Sequence, residues 1–257
     1  MNLPTTPPQR PSQPLLAVRE LHVGYGKAEV VHGLSMDVRA GEFVVVLGRN
    51  GAGKSTLMQA ISGLIPKRSG TVHFNGQDLS HASPRETVLA GIVQVLEGHR
   101  VFQTLSVEDN LLIGTYARSP GGDRSRLERI YALFPELAER KQQMASRLSG
   151  GQQQILAVAQ GVIAEPRLLI LDEPSGGLAP IVIDRILQVA SDLCAQGVAI
   201  LLVEQLVDKA LRHGHYGYLI ETGRVAAEDF AQALGEGDLI HRVFLGGHAA
   251  PAEESPP

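Results

Sequence analysis

The stretch GRNGAGKST, Gly48 to Thr56, follows directly on the apolar run Phe43 to Leu47. It runs directly into a helical pattern, Lys54 to Ser62, that stops at Gly63, a helix-terminating residue. Glycines at 48, 51 and 53 permit backbone conformations closed to other residues, so several N–H groups can turn inward on one point. The helix that follows adds partial positive charge at its first turn. Donors gathered at a strand-to-helix junction make a cradle for a polyphosphate, and sequence and context together match the nucleotide-binding P-loop pattern. Gly48, Asn50, Gly51, Gly53 and Thr56 then line the cradle, Lys54 reaches the β- and γ-phosphates, and Ser55 offers its hydroxyl to Mg²⁺. The junction commits the chain to an α/β fold, because such ligands sit where strands end and helices begin.

A second strand end complements the first. In LLILDEP, Leu168 to Pro174, a buried strand finishes in adjacent acids, placing Asp172 and Glu173 at the same edge of the sheet as the cradle. Removing two carboxylates from water is costly, so a cation is expected beside them. Mg²⁺ meets that need: Asp172 holds it through its water shell, leaving Glu173 to orient the attacking water and accept its proton. A third apolar run, Val198 to Val203, reads as a strand buried on both faces and stops at Glu204-Gln205. From the residues alone Gln205 is either a strand cap or a site residue. Gln94, at the end of another short apolar segment, poses the same choice.

The remaining pattern fills in around these points. Leu16 to Val23, Leu34 to Val38 and Thr71 to Phe74 have β character, the last ended by the tight-turn pair Asn75-Gly76. Val107 to Met144 is of mixed helical periodicity, interrupted by SPGGD, and suggests a helical lobe. Ile183 to Cys194 is a helix between two strands, restoring a βαβ rhythm. The Pro-rich residues 1–14 and residues 247–257 lack the apolar content to fold and read as flexible tails around a body of 15–246. Hydrophobic residues make up 44% and charged ones 19%, a globular balance, and a net charge of -4 gives no bulk attraction for nucleic acid. One cysteine, Cys194, cannot form an internal disulfide and reads as a small buried residue. No apolar run is long enough to span a bilayer, and no signal-peptide core opens the chain, which points to the cytoplasm. His213-Gly-His215 lacks further ligands at a familiar metal spacing, so ATP-bound Mg²⁺ is the one metal expected.

P-loop and acidic strand end define a reaction class shared by many proteins; RLSGGQQQ narrows it. Ser149, Gly150, Gly151 and Gln152 resemble the signature loop of ABC-type ATPases, and a Ser-Gly-Gly loop entering a helix is also a plausible anion nest. The resemblance runs from about Leu16 to Leu234. It implies a P-loop ATPase of ABC type: a mostly parallel core sheet, an N-terminal antiparallel β subdomain and a helical lobe at about 96–150. It further implies that Ser149 and its neighbours bind the γ-phosphate held by an opposing subunit. Tyr25 falls where the family stacks adenine, although a surface Tyr beside a tight turn is its plain alternative. Gln94 matches the glutamine that contacts metal or water and links the lobe to the core. Gln205 stands where the family has its switch histidine; it donates a hydrogen bond but does not titrate near neutral pH. Glu204 beside it is expected to point the other way, as a structural residue. Ala179 departs from the usual Asp at the end of the D-loop, removing an acidic contact offered across the dimer.

LEGHRVFQTLSVEDNL and PSGGLAP resemble the smaller ATPase of branched-chain amino acid importers, to which the urea importer's ATPases are close. That resemblance implies a peripheral subunit on the cytoplasmic face of the plasma membrane. Its partners would be two integral-membrane permeases, a second ABC ATPase or a second copy of itself, and indirectly a solute-binding protein. His99, Arg100 and Phe102 would lie on the surface turned toward the permease. The alternatives are the ATPase of an exporter, or a soluble ABC protein acting on nucleic acid or ribosomes. Against the latter stand a single P-loop, a single signature and the acidic balance.

Overall fold

The computed structural model describes residues 13–98, 100–119, 122–237, 240 and 243. The expected C-terminal tail, all of the N-terminal tail but Gln13 and Pro14, and His99 lie outside the described residues.

An antiparallel sheet opens the chain. Strands β1 (Leu16–Tyr25) and β2 (Ala28–Val38) precede β3 (Phe43–Leu47) and helix α1 (Lys54–Ile61), and β4 (Lys67–Phe74) and β5 (Gln77–Asp78) follow. In this first sheet the order is β2-β1-β4-β5. Asn75 and Gly76, at φ 50° and 78°, make the tight turn between β4 and β5 that the Asn-Gly pair foretells. Helix α2 (Pro84–Ala90) leads to β6 (Ile92–Val95). The mixed segment expected to be helical holds three short helices, α3 (Val107–Gly114), α4 (Leu127–Leu133) and α5 (Pro135–Ala138), and the longer α6 (Gly150–Ile163) follows. The chain then alternates: β7 (Leu168–Asp172), α7 (Pro180–Ala195), β8 (Ala199–Glu204), α8 (Val207–His213), the hairpin β9 (Tyr216–Glu221) and β10 (Arg224–Phe230), and α9 (Ala231–Glu236).

The second sheet has the order β10-β9-β3-β8-β7-β6, parallel from β9 to β6 with β10 antiparallel at its edge. This is the expected architecture, with one addition: the β9–β10 hairpin, which places β9 beside β3. Strands β3, β7 and β8 are buried along their whole length because both faces are covered. Alternate residues serve two separate cores. Phe43, Val45, Leu47, Leu169, Leu171, Ile200 and Leu202 pack with residues of α6 and α7. Val44, Val46, Leu168, Ile170, Leu201 and Val203 pack with α1 and the antiparallel sheet. Each such side chain contributes roughly 1.5–3 kcal/mol by burial, which fixes the strands firmly and with them the loops at their carboxyl ends. Cys194 is buried as expected, and its thiol donates to the Gly41 carbonyl. No helix among the described residues is long and apolar enough to cross a membrane.

Candidate functional site

The loop between β3 and α1 is shaped by close approach and by handedness. An added Cβ at Gly48 would stand 2.4 Å from the Ile220 carbonyl oxygen of β9, and Gly53 enters α1 at φ 97°. Neither position admits a larger residue without moving backbone. Lys54, buried at the first position of α1, donates to the carbonyls of Gly48 at 2.9 Å and Arg49 at 3.2 Å. Its Nζ also lies 3.2 Å from Glu173 Oε1, so the three ammonium protons are matched by three acceptors. Asn50 is exposed at the loop's rim, and Thr56 is buried behind it.

The acidic strand end meets this loop. The Ser55 hydroxyl donates to Asp172 Oδ1 at 3.0 Å, and the Gln94 amide donates to Oδ2 at 3.3 Å. Asp172 is 2% exposed. Burial, above all, pushes its carboxyl up to about 6; the Ser55 hydroxyl and Lys54 oppose the rise, while Glu173 and Glu97 add to it. The other amide atom, Gln94 Oε1, is buried with no hydrogen-bond partner. A carboxylate short of countercharge, an unpartnered amide oxygen and a hydroxyl form a set of hard oxygen donors, which suits a hard divalent cation such as Mg²⁺. The Gln94 side chain, from the end of β6, is aimed at Asp172.

Glu173 takes φ 45°, an uncommon conformation for a residue with a Cβ, and its N–H donates to Val203 O at 3.0 Å. One carboxylate oxygen faces Lys54, and the other accepts from the Gln205 side-chain amide. The Gln205 side chain thus reaches across from the end of β8 to the acid following β7. Glu204, expected to point the other way from Gln205 as a structural residue, bonds Ser175, whereas its neighbour's side chain reaches Glu173. Its buried carboxylate accepts from the Ser175 N–H and hydroxyl and from the Gln205 N–H. The sequence signal that it carried was a charge at the end of a run buried on both faces, which requires donors.

Two expected groups stand outside this cluster. Ser149 is the N-cap of α6 and exchanges hydrogen bonds with Gln152 in a capping box, while an added Cβ at Gly151 would meet Val182 of α7 at 2.9 Å. Gly150 is exposed at the start of the helix. No hydrogen bond of these four reaches Lys54, Asp172 or Glu173 among the described residues. Tyr25 is 51% exposed at the end of β1, and its hydroxyl donates to Gln59 Oε1 on α1 at 3.3 Å, which ties it to the P-loop helix. The two histidines serve packing: His215 accepts from the Phe43 N–H, and His213 hydrogen-bonds the Ser191 hydroxyl. Ala179 is the N-cap of α7 and offers no side-chain cap.

A model of the ABC transporter family matches residues 31–176, more than half of the chain, and takes in the P-loop, Gln94, the Ser149 loop and both strand-end acids. The chain belongs to the ABC transporter ATPases. This ATPase is 37% identical to the high-affinity branched-chain amino acid transport ATP-binding protein BraG of Pseudomonas aeruginosa, across 91% of the chain and 100% of BraG. It is 34% identical to the probable branched-chain amino acid transport ATP-binding protein LivF of Archaeoglobus fulgidus, across 90% of the chain and 99% of LivF. Among solved structures, an ATP-binding cassette of an ABC transporter in its ADP conformation superposes with a TM-score of 0.80, covering 92% of this chain and 100% of that one at 24% identity, a likeness of fold. ATP hydrolysis is the reaction of this family, and nucleotide is its ligand.

Proposed function

We propose that this ATPase is the motor subunit of a membrane importer for branched-chain amino acids or related small polar solutes. One observation carries the catalytic reading: Lys54, Glu173 and Gln205 form a continuous chain of contacts at the strand ends, with Asp172 alongside. The transport reading is supported by the relatives of 37% and 34% identity, both named for branched-chain amino acid transport. Export, or action on nucleic acid, is not favoured by that pair.

In this reading Lys54 and the inward N–H groups from Gly48 to Thr56 hold the phosphates, and Tyr25 stacks on adenine. Ser55, Asp172 and Gln94 hold Mg²⁺, which when bound neutralises charge on the phosphate oxygens. Glu173 takes the proton of a water whose oxygen bonds to the γ-phosphorus as the bond to the ADP oxygen breaks. A γ-phosphate competes for Lys54 and so frees one oxygen of Glu173 for that water. Gln205 steadies the other oxygen and donates toward the γ-phosphate.

The signature Ser149–Gln152 serves a site on a second subunit, which accounts for its separation from the P-loop cluster. With a different ATPase carrying His and Asp at the two variant positions, Gln205 would alter the site on this chain's P-loop and Ala179 the partner's site. The two sites are then inequivalent. Two permeases carry the solute, a solute-binding protein delivers it, and this chain sits peripherally on the cytoplasmic face of the membrane. The test is reconstitution in liposomes with a permease pair, a binding protein and a second ATPase, reading uptake of labelled leucine and ATP turnover. Uptake should require ATP, Mg²⁺ and Lys54. Uptake that survives Lys54→Ala overturns the motor role, and equal turnover from two copies of this chain overturns the heterodimer.

A further inference from the structure

Glu204 is 2% exposed, and no cationic side chain pairs with it among the described residues. A buried carboxylate without a cation is costly, and a neutral side chain could satisfy one or two donors at lower cost. What only a carboxylate supplies is acceptor capacity on both oxygens at once. Glu204 uses it: Oε1 accepts from Ser175 N at 3.1 Å, and Oε2 accepts from the Ser175 hydroxyl at 2.7 Å and from Gln205 N at 3.1 Å. Burial raises the carboxyl's pKa, and the hydrogen bonds from Ser175 and from the Gln205 and Leu206 backbone work against that rise.

Those donors belong to two different loops. Ser175 lies two residues after Glu173, on the segment that runs to Ala179 and α7; Gln205 begins the loop after β8. The strands before them are paired in parallel, with Asp172 opposite Val203, and the Glu173 N–H is bonded to Val203 O. The Gln205 side chain closes a ring by donating to Glu173. Ring order is therefore Glu173, Gln205, Glu204, Ser175 and back along the chain to Glu173. We infer that Glu204 is a positioning residue for ATP hydrolysis: it grips Ser175 and the Gln205 backbone together, and so holds the Glu173 carboxylate and the Gln205 amide in register. This rests on the proposed role of Glu173. It also ties the loop that senses the γ-phosphate to the loop that ends in Ala179, the one offered to the second subunit's site.

Glu204→Gln tests the idea, because the shape is kept while one acceptor oxygen becomes an NH₂ facing the Gln205 N–H. ATP hydrolysis by the full-length chain should fall about tenfold in kcat, with KM for Mg·ATP unchanged within about twofold, since no phosphate contact is touched. Glu204→Asp, which keeps both oxygens, should recover part of the loss. The double variant Glu204→Gln with Gln205→Ala should be no slower than the slower single variant, because both break one ring. Multiplying losses, or kcat and KM shifting together with the melting temperature, would overturn the inference by making Glu204 a plain structural cap. If Glu204→Gln does not fold, Ser175→Ala decides: about a twofold to threefold loss in kcat at constant KM supports the ring, and wild-type kcat overturns it. Glu173→Gln run in parallel separates the two readings. Wild-type turnover in Glu173→Gln sinks the proposed catalytic site itself, whereas a dead Glu173→Gln beside a wild-type-like Glu204→Gln sinks only the positioning role.

Discussion

Asp172→Asn sets stability and catalysis in opposition, and the size of the first effect follows from burial. The folded chain lifts this carboxyl from an ordinary 3.8 to about 6, with desolvation the largest cause. Between those two values the folded state binds a proton that the unfolded state has released. The sign follows: Asp172 disfavours folding least below about pH 4, its penalty grows as pH rises through about 6, and it stays at roughly 3 kcal/mol at neutral pH in the absence of a divalent cation. Asn has no charge to desolvate, but only one acceptor oxygen. The Ser55 hydroxyl and the Gln94 amide both donate to Asp172, so one must find another arrangement at a cost of about 1 kcal/mol. The net gain is ~2 kcal/mol near pH 7.5, equivalent to about 4–8 °C in melting temperature for a domain of this size. Thermal unfolding in chelator from about pH 4 to pH 8 should show the variant ahead at neutral pH and level or behind near pH 4. Its Mg²⁺-dependent hydrolysis should be lost throughout. A variant that is less stable at neutral pH, or equally stabilised at both ends, refutes the desolvation argument.

Lys54→Ala removes the one buried ammonium of the cradle and should weaken ATP binding about 10- to 100-fold, read by titration with a fluorescent ATP analogue; unchanged affinity would refute the phosphate role. Glu173→Gln should bind ATP yet hydrolyse it at least about 100-fold more slowly, since an amide is a poor proton acceptor, and should accumulate as an ATP-loaded dimer in size exclusion. Turnover near wild type rules Glu173 out as the base. Ala179→Asp supplies α7 with the side-chain cap that it lacks and should add about 1 kcal/mol, or roughly 2–4 °C in melting temperature; no rise would show that the position is not limiting for the helix.

The plainest elements in the sequence are the strands whose burial is complete. Phe43 to Leu47, Leu168 to Leu171 and Val198 to Val203 announce themselves because a strand covered on both faces must be apolar throughout, and the candidate site residues follow directly on them. The β9–β10 hairpin was not legible, because Arg224–Phe230 carries Ala, Glu and Asp on an exposed edge, and its strand character comes from pairing with β9. Gln94 and Gln205 could be placed near the site by family resemblance, but their partners, Asp172 and Glu173, come from chain segments at least 30 residues away, which no local pattern encodes. Glu204 was half legible. Its structural character followed from its place at a strand end, while the bond to Ser175 depends on how the loop after Asp172 folds back, and a single strand pattern does not contain that.

The division of the parallel sheet between two cores makes neighbours in sequence strangers in energy. Val44 and Val45 share a peptide bond, yet one is solvated out of water by α1 and the antiparallel sheet and the other by α6 and α7. Substitutions at such a pair should combine almost independently, whereas Val45 and Leu171, far apart along the chain, draw on the same interior. The strands are beams shared by two bodies, joined across the sheet by backbone rather than by side-chain packing. Each beam ends at a residue of the candidate site: Leu47 is followed by Gly48, Asp172 by Glu173 and Glu204 by Gln205. The three strand ends that carry the candidate site are thus set by both cores at once.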